Sequence, residues 1–230
     1  MSKPSQYHRN RRPYNFLIYD IIDKNIIDYK NKIHGVVYDL GCGEMPYKNY
    51  LLKHCNKYIG VDWGNTPHEL RADLITDLNE KLPIPSGSAD TVICLSVIEH
   101  LREPQVMLGE VYRILNPGGA ILLQVPFMWW VHEAPYDFYR FTRYGLEHIF
   151  NKAGFKNVKI QSQGGYWVMS TLKLNYQLIR LIRGPWLIRK VVSFFLNVFW
   201  AIDQRIAPIL DKHWSSENET VGYFVVAEKS

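Results

Sequence analysis

The chain has 230 residues, 47% of them hydrophobic and 21% charged, an ordinary globular balance with enough length to bury a real core in one elaborated domain. Its net charge of +5 and pI near 9.0, drawn partly from Lys3, Arg9, Arg11 and Arg12, permit an anionic partner without demanding one. Three cysteines, Cys42, Cys55 and Cys94, without C-x-x-C spacing exclude a disulfide framework and imply no metal site. The basic N-terminus lacks the apolar core of a secretory signal, and the run from Val191 to Ile202 is too short to span a bilayer, so a cytoplasmic setting is expected.

In chain order, Phe16, Leu17, Ile21, Ile22 and Ile26 recur at near-helical spacing and predict an amphipathic helix over 14–30. From Val36 onward strand-like and helix-like segments alternate. Strands are expected at 36–40, 57–62, 72–75, 90–95 and 120–125, and helices at 46–54, 103–115 and 143–153. Such alternation with apolar strands argues for a mainly parallel sheet covered on both faces, an α/β fold. The stretch 63–72 is too short for a full crossover helix, which predicts a trimmed connection. Asn116, Pro117, Gly118 and Gly119 read as a helix stop and turn. Segments 155–165 and 219–230 read as two further strands, and the fifty residues between them, 166–215, as a helical insertion. The division expected is an N-terminal basic segment and helix over 1–33, a main domain over 34–165 and 216–230, and the insertion.

Residues 36–47, VVYDLGCGEMPY, join an apolar strand carrying Asp39 to a turn with Gly41 and Gly43. Glycine there permits positive φ and close approach of backbone to a nucleotide-like ligand, although such a turn can also be purely structural. A dinucleotide site would call for a third glycine where Pro46 stands, which disfavours a pyrophosphate. The Asp-x-Gly-x-Gly form suits instead a ligand with an amino group and no phosphate, which describes S-adenosylmethionine. Asp62, nineteen residues beyond Gly43 at the end of the second strand, is placed to accept from ribose hydroxyls; a turn cap is the plainer alternative. Asp77 in the loop after the third strand can accept from an adenine amine with Leu78 packed on the ring. Asp73, earlier in that strand, reads as closing the sheet edge. Ser96 and Val97, just past the fourth strand, face the same crevice.

The motifs DLGCG, VDW, TDLNEKLPIPSGSADTV, VIEHL and EVYRILNPGGAILLQVP, in that order over about 34–160, resemble the class I S-adenosylmethionine-dependent methyltransferases, in particular the group related to small-molecule and ubiquinone-type enzymes. The resemblance implies a Rossmann-like seven-stranded, mostly parallel sheet with an antiparallel last strand, so that 155–165 and 219–230 form a terminal hairpin. It also implies that Asp39, Gly41 and Gly43 hold the methionine part, Asp62 the ribose and Asp77 the adenine end. The chain departs from the pattern in the trimmed crossover after Asp62 and in one extra residue between Asp77 and Leu82.

Residues 126–145, PFMWWVHEAPYDFYRFTRYG, mix His132, Glu133, Asp137, Arg140 and Arg143 with many aromatics and fall where a loop would border the site. The pattern His132, Pro135, Asp137, Arg140, Thr142 resembles a subgroup associated with bacterial surface-polysaccharide clusters. That resemblance implies a sugar, nucleotide-sugar or glycan hydroxyl as acceptor. His132 is a candidate general base, and Asp137 with Arg140 either join the catalytic group or form an ion pair that shapes the loop. Glu99 and His100 are a second option, though the pair recurs in the family with different acceptors and reads as support. HEAPY lacks the second histidine of H-E-x-x-H, Tyr136 standing there, so no zinc site is read from it. A DNA partner is not expected. The insertion carries Arg180, Arg183, Arg189 and Lys190 among apolar residues, and 176–202 reads as a lid, a homodimer face or a peripheral contact with the inner face of a membrane. Two rival readings stand beside methyl transfer: an NAD-type oxidoreductase or epimerase on a similar sheet, and a non-catalytic cofactor-binding protein.

Overall fold

The computed structural model describes residues 3–64, 69, 71–216 and 218–230. The chain opens with helix α1 (Phe16–Asp28) and then alternates through β1 (Val36–Leu40), α2 (Lys48–Leu51), β2 (Lys57–Asp62), β3 (Leu74–Ile75), β4 (Ala89–Leu95), α3 (Pro104–Ile114), β5 (Leu115–Pro126), α4 (Arg143–Ala153) and β6 (Lys159–Ser162). Helices α5 (Tyr166–Leu178) and α6 (Trp186–Trp214) follow before the final strand β7 (Gly222–Glu228).

The seven strands form one sheet in the order β3-β2-β1-β4-β5-β7-β6. β1 pairs in parallel with β2 and β4, and β4 with β5, whereas β7 runs antiparallel to both β5 and β6. The expected parallel sheet with one reversed last strand is therefore present, and β6 and β7 are the expected hairpin. Strand order reverses between β1 and β4, which opens the crevice where open α/β sheets hold ligands.

Side chains alternate along the central strands, so each strand feeds two cores. On one face Ile121, Leu123 and Val125 of β5 meet Met107, Leu108 and Val111 of α3 and Leu146 and Phe150 of α4. On the other, Ala120 and Leu122 pack with Val37, Ile93 and Phe224 against Ile22 and Ile26 of α1. α5 and α6 attach to the edge of this second layer through a small cluster containing Leu17, Val168, Leu172, Ala207 and Val221.

Two expectations needed correction. The helix expected over 46–54 is only the single turn of α2, flanked by turns, because positive φ at Met45 and the adjacent Pro46 leave no continuous helical start after the glycines. The Asn116-Pro117-Gly118-Gly119 stretch lies within β5 as an irregularity: the register shifts between the Ala89 and Thr91 pairings, while Gly118 N–H donates to Lys229 O at 2.8 Å. Positive φ of 79° at Gly118 is the left-handed position glycine supplies. The trimmed crossover expected over 63–72 falls largely on 65–68 and 70, outside the described residues.

Candidate functional site

One cavity of about 990 Å³ opens over the carboxyl ends of β1, β2 and β4. Asp39, Gly41, Gly43, Asp62, Asp77, Leu78 and Ser96, all singled out in the sequence, border it together. The sheet explains the convergence: parallel neighbours bring the ends of β1, β2 and β4 to one edge.

The glycine turn is tied down by its neighbour strand. Gly41 N–H donates to Val61 O at 2.8 Å, and Gly43 N–H donates to Asp62 Oδ2 at 2.7 Å. The other oxygen of Asp62 accepts from its neighbour Trp63 N at 2.8 Å, so this carboxylate shapes the turn as well as facing the cavity. Asp39 is almost fully buried and accepts from the Tyr58 hydroxyl at 2.6 Å. Burial pushes its carboxyl up to about 7; the Tyr58 bond works against the rise and the charge of Asp62 adds to it. Asp77 Oδ1 accepts from the backbone and side-chain nitrogens of Asn79, which fixes the loop ahead of Leu78. Asp73 exchanges hydrogen bonds with Gly60 and closes the sheet edge, the role read for it in the sequence. Ser96 sits at φ 56°, and its hydroxyl donates to Gln124 Oε1, so it turns the chain out of β4.

These features test the fit of an adenosyl ligand. A Cβ on Gly43 would meet nothing within 4 Å, so hydrogen at this position leaves open space beside the backbone. A Cβ on Gly41 would lie 2.2 Å from Val97, so this glycine serves packing beneath the turn. Carboxylates at the ends of β1 and β2 flank that space and suit an amino group and ribose hydroxyls.

The loop after β5 forms the far wall. Arg140 pairs with Asp137 through two nitrogens, at 2.7 and 2.6 Å, and also donates to the carbonyls of Trp130 and Tyr139. Burial alone would raise the Asp137 carboxyl, but Arg140 and the His132 backbone N–H hold it down to about 2. Neither residue borders the cavity, so of the expected catalytic trio only His132 does. Asp137 and Arg140 are placed to position the loop. His132 stands with His100, their ring centroids 4.8 Å apart, over the carboxylate of Glu99. Glu99 is fully buried and its carboxyl is raised to about 8 by that burial, while burial and His100 hold His132 below its ordinary value.

Sequence reasoning missed two walls. Tyr7, His8 and Arg9 of the N-terminal segment border the cavity, with Arg9 paired to Glu44 beside the glycine turn. Tyr176 of α5 reaches it too, its ring edge-on to the stacked Trp129 and Trp130. The basic cluster at 9–12 was the available signal for the first; nothing local marks Tyr176, because its approach depends on how α5 docks.

Residues 38–123 match the family model described as a methyltransferase domain. A probable S-adenosylmethionine-dependent methyltransferase of Mycolicibacterium smegmatis is 32% identical over 96 residues, 39% of this chain and 37% of that protein. The ubiquinone biosynthesis O-methyltransferase of Pseudomonas paraeruginosa is 26% identical over 140 residues, 54% of this chain and 56% of that protein. This chain thus spans about half or less of the curated relatives named here. Among solved structures, a SAM-dependent methyltransferase from Archaeoglobus fulgidus aligns with TM-score 0.58 at 19% identity over 91% of this chain and 94% of that one. The cyclase SpnF aligns at TM-score 0.57 and 15% identity over 90% and 80%, so the shared fold does not by itself specify the reaction.

Proposed function

We propose that this chain, which carries a methyltransferase domain of the class I S-adenosylmethionine-dependent kind, transfers a methyl group to an oxygen of a small ring compound. The observation that carries the reading is the convergence of Asp39, the Gly41 to Gly43 turn and Asp62 at the strand-order reversal, beside a second, histidine-bearing wall. Bound there, S-adenosylmethionine supplies an electrophilic methyl group on a sulfonium. The chain's own part is to orient, exclude water and deal with one proton. Asp39 and the glycine turn take the amino-acid end, Asp62 the ribose and Asp77 with Leu78 the adenine. The acceptor oxygen enters from the side of His100 and His132; its O–H proton passes to water on that side as the new C–O bond forms and the C–S bond breaks.

Aromatic walls from Trp63, Trp129, Tyr136 and Tyr176 suit a flat ring. The relative named as a ubiquinone biosynthesis O-methyltransferase favours a phenolic or quinol hydroxyl. A sugar hydroxyl is the second reading, supported by the His132, Pro135, Asp137, Arg140, Thr142 pattern. The same proposal sets α6 against an anionic membrane surface, since Trp186, Phe194 and Phe195 are exposed beside exposed Arg189 and Lys190.

Calorimetry with S-adenosylmethionine and NAD, followed by transfer of a labelled methyl group to a panel of phenols, quinols and sugars, tests this reading. Binding of the sulfonium ligand alone and labelling of one hydroxyl class are expected. Binding of NAD instead would remove the reading in favour of an oxidoreductase, and binding without transfer to any acceptor would favour a non-catalytic cofactor-binding protein.

A further inference from the structure

Three side-chain atoms, Glu99 Oε1 and the Nε2 atoms of His100 and His132, converge at the acceptor end of the cavity. His100 Nδ1 lies 2.8 Å from the carbonyl of Tyr136, and a carbonyl only accepts, so Nδ1 carries the hydrogen and Nε2 of the neutral ring has the lone pair. His132 Nδ1 lies 3.3 Å from both Asp137 Oδ2 and Arg140 Nη2. Both hydrogens of that arginine nitrogen are already committed, to Asp137 Oδ2 at 2.6 Å and Trp130 O at 2.8 Å. Asp137 and Arg140 thus hold the His132 ring from its Nδ1 side and leave Nε2 toward Glu99.

Both Nε2 atoms face Glu99 Oε1, at 3.6 and 3.9 Å. Glu99 is 0% exposed, and neither of its oxygens has a hydrogen-bond partner. Leaving a buried carboxyl group without a partner is costly, and the nearest nitrogen, His100 Nε2, brings a lone pair rather than a hydrogen. Separations of 3.6 and 3.9 Å are too long for a hydrogen bond. They are what two ligands present when each lies about 2.1 Å from one ion at angles of roughly 120–135°. The three donor atoms lie within 4.8 Å of one another, whereas two ligands about 2.1 Å from one ion stand at most about 4.2 Å apart, so the two rings close slightly on binding; Glu133 Oε2, 4.0 Å from His100 Nε2, adds a further oxygen nearby. The outer contact of His100 fits as well: ligating histidines characteristically donate their other N–H to a carbonyl or carboxylate, as His100 Nδ1 does to Tyr136 O.

We propose that Glu99, His100 and His132 bind a divalent first-row transition ion, zinc being the type, at the acceptor end of the cavity. Two imidazoles and one carboxylate without a thiolate select such an ion over magnesium, which prefers an all-oxygen shell. Whether the ion binds is independent of the methyltransferase reading; what it does rests on that reading. An acceptor hydroxyl that joins the open side of the ion has its pKa lowered and yields its proton to water as the methyl group arrives.

Tag-free full-length protein stripped by chelation and dialysis is titrated with Co²⁺, read by its visible absorption, and with Zn²⁺ in competition; Mg²⁺ is the contrast. One Co²⁺ per chain displaced by Zn²⁺ is expected. Glu99→Gln, His100→Ala and His132→Ala should each weaken binding at least 100-fold, and Asp137→Asn about 10–100-fold through the loss of ring orientation. His148→Ala, an exposed histidine on α4, should leave it unchanged. S-adenosylmethionine affinity measured on the same proteins separates the two ideas: ion binding without cofactor binding sinks the methyltransferase reading and keeps the site. Absence of Co²⁺ binding in wild type, or equal binding in all four site variants, overturns the site. Transfer unaffected by chelation overturns its role in the reaction.

Discussion

Gly41 and Gly43 stand two positions apart in one turn and are glycines for different reasons. Both have positive φ, 71° and 51°, but a Cβ on Gly41 would press into Val97 whereas one on Gly43 would enter open space. Gly41→Ala should therefore destabilise the fold by on the order of 2–4 kcal/mol, from overpacking plus left-handed strain. Gly43→Ala should cost only about 1–2 kcal/mol from that strain. Urea denaturation measures both, and similar losses for the two would contradict the packing argument. Asp39 gives a pH signature. Its carboxyl is raised to about 7 in the folded chain, so as pH rises from the ordinary carboxylate range toward that value the unfolded chain ionises first, and the folded form loses stability until the loss levels off above it. Asp39→Asn removes the penalty. The variant's stability relative to wild type should rise between about pH 4 and pH 7 by on the order of a few kcal/mol and then level off; a constant difference across that window would show that Asp39 does not titrate there. These residues were legible in the sequence because glycine and acidic side chains at strand ends have few other uses. Which glycine supports packing was not legible, since Val97 lies far along the chain and meets Gly41 only across the β1 and β4 pairing.

At the scale of elements, α5 begins on a cap it does not contain. Asp211 of α6 accepts from the backbone N–H groups of Gly165, Trp167 and Val168, satisfying the free donors of the α5 N-terminus. Asp211→Ala should cost about 1–2 kcal/mol. It should also loosen the hairpin, so that amide exchange quickens in α5 and Tyr176 no longer holds its place against Trp129; protection in α5 equal to wild type would refute the cap. The loop after β5 follows the same logic, being locked by the Asp137 to Arg140 pair rather than by regular structure. The Asp-x-x-Arg spacing was visible in the sequence as a possible ion pair. Its attachment to the His132 backbone and ring was not, because those contacts follow from the path of the loop.

At the scale of the whole molecule, among the described residues α6 leaves much of its apolar side uncovered. Among the described residues no helix is long and apolar enough to cross a membrane, yet α6 buries only Trp200, Gln204 and Ala207 along its 29 residues. Phe194 and Phe195 remain 64% and 66% exposed. With vesicles containing anionic lipid the protein should sediment, and Phe194→Glu with Phe195→Glu should return it to the supernatant. If wild type stays in the supernatant as a dimer that the same changes split, α6 is an interface between copies instead. The sequence by itself determined the parallel βα alternation and the place of the glycine turn, because these are written in local periodicity and glycine placement, while the reversed last strand was implied only by the family resemblance that the motif order carries. Tertiary structure alone decided what completes the cavity and which side chains gather around Glu99. His100 and His132 are thirty-two residues apart in the chain. They reach one buried carboxylate only because the turn after β4 and the loop after β5 leave adjacent strands at the same edge of the sheet.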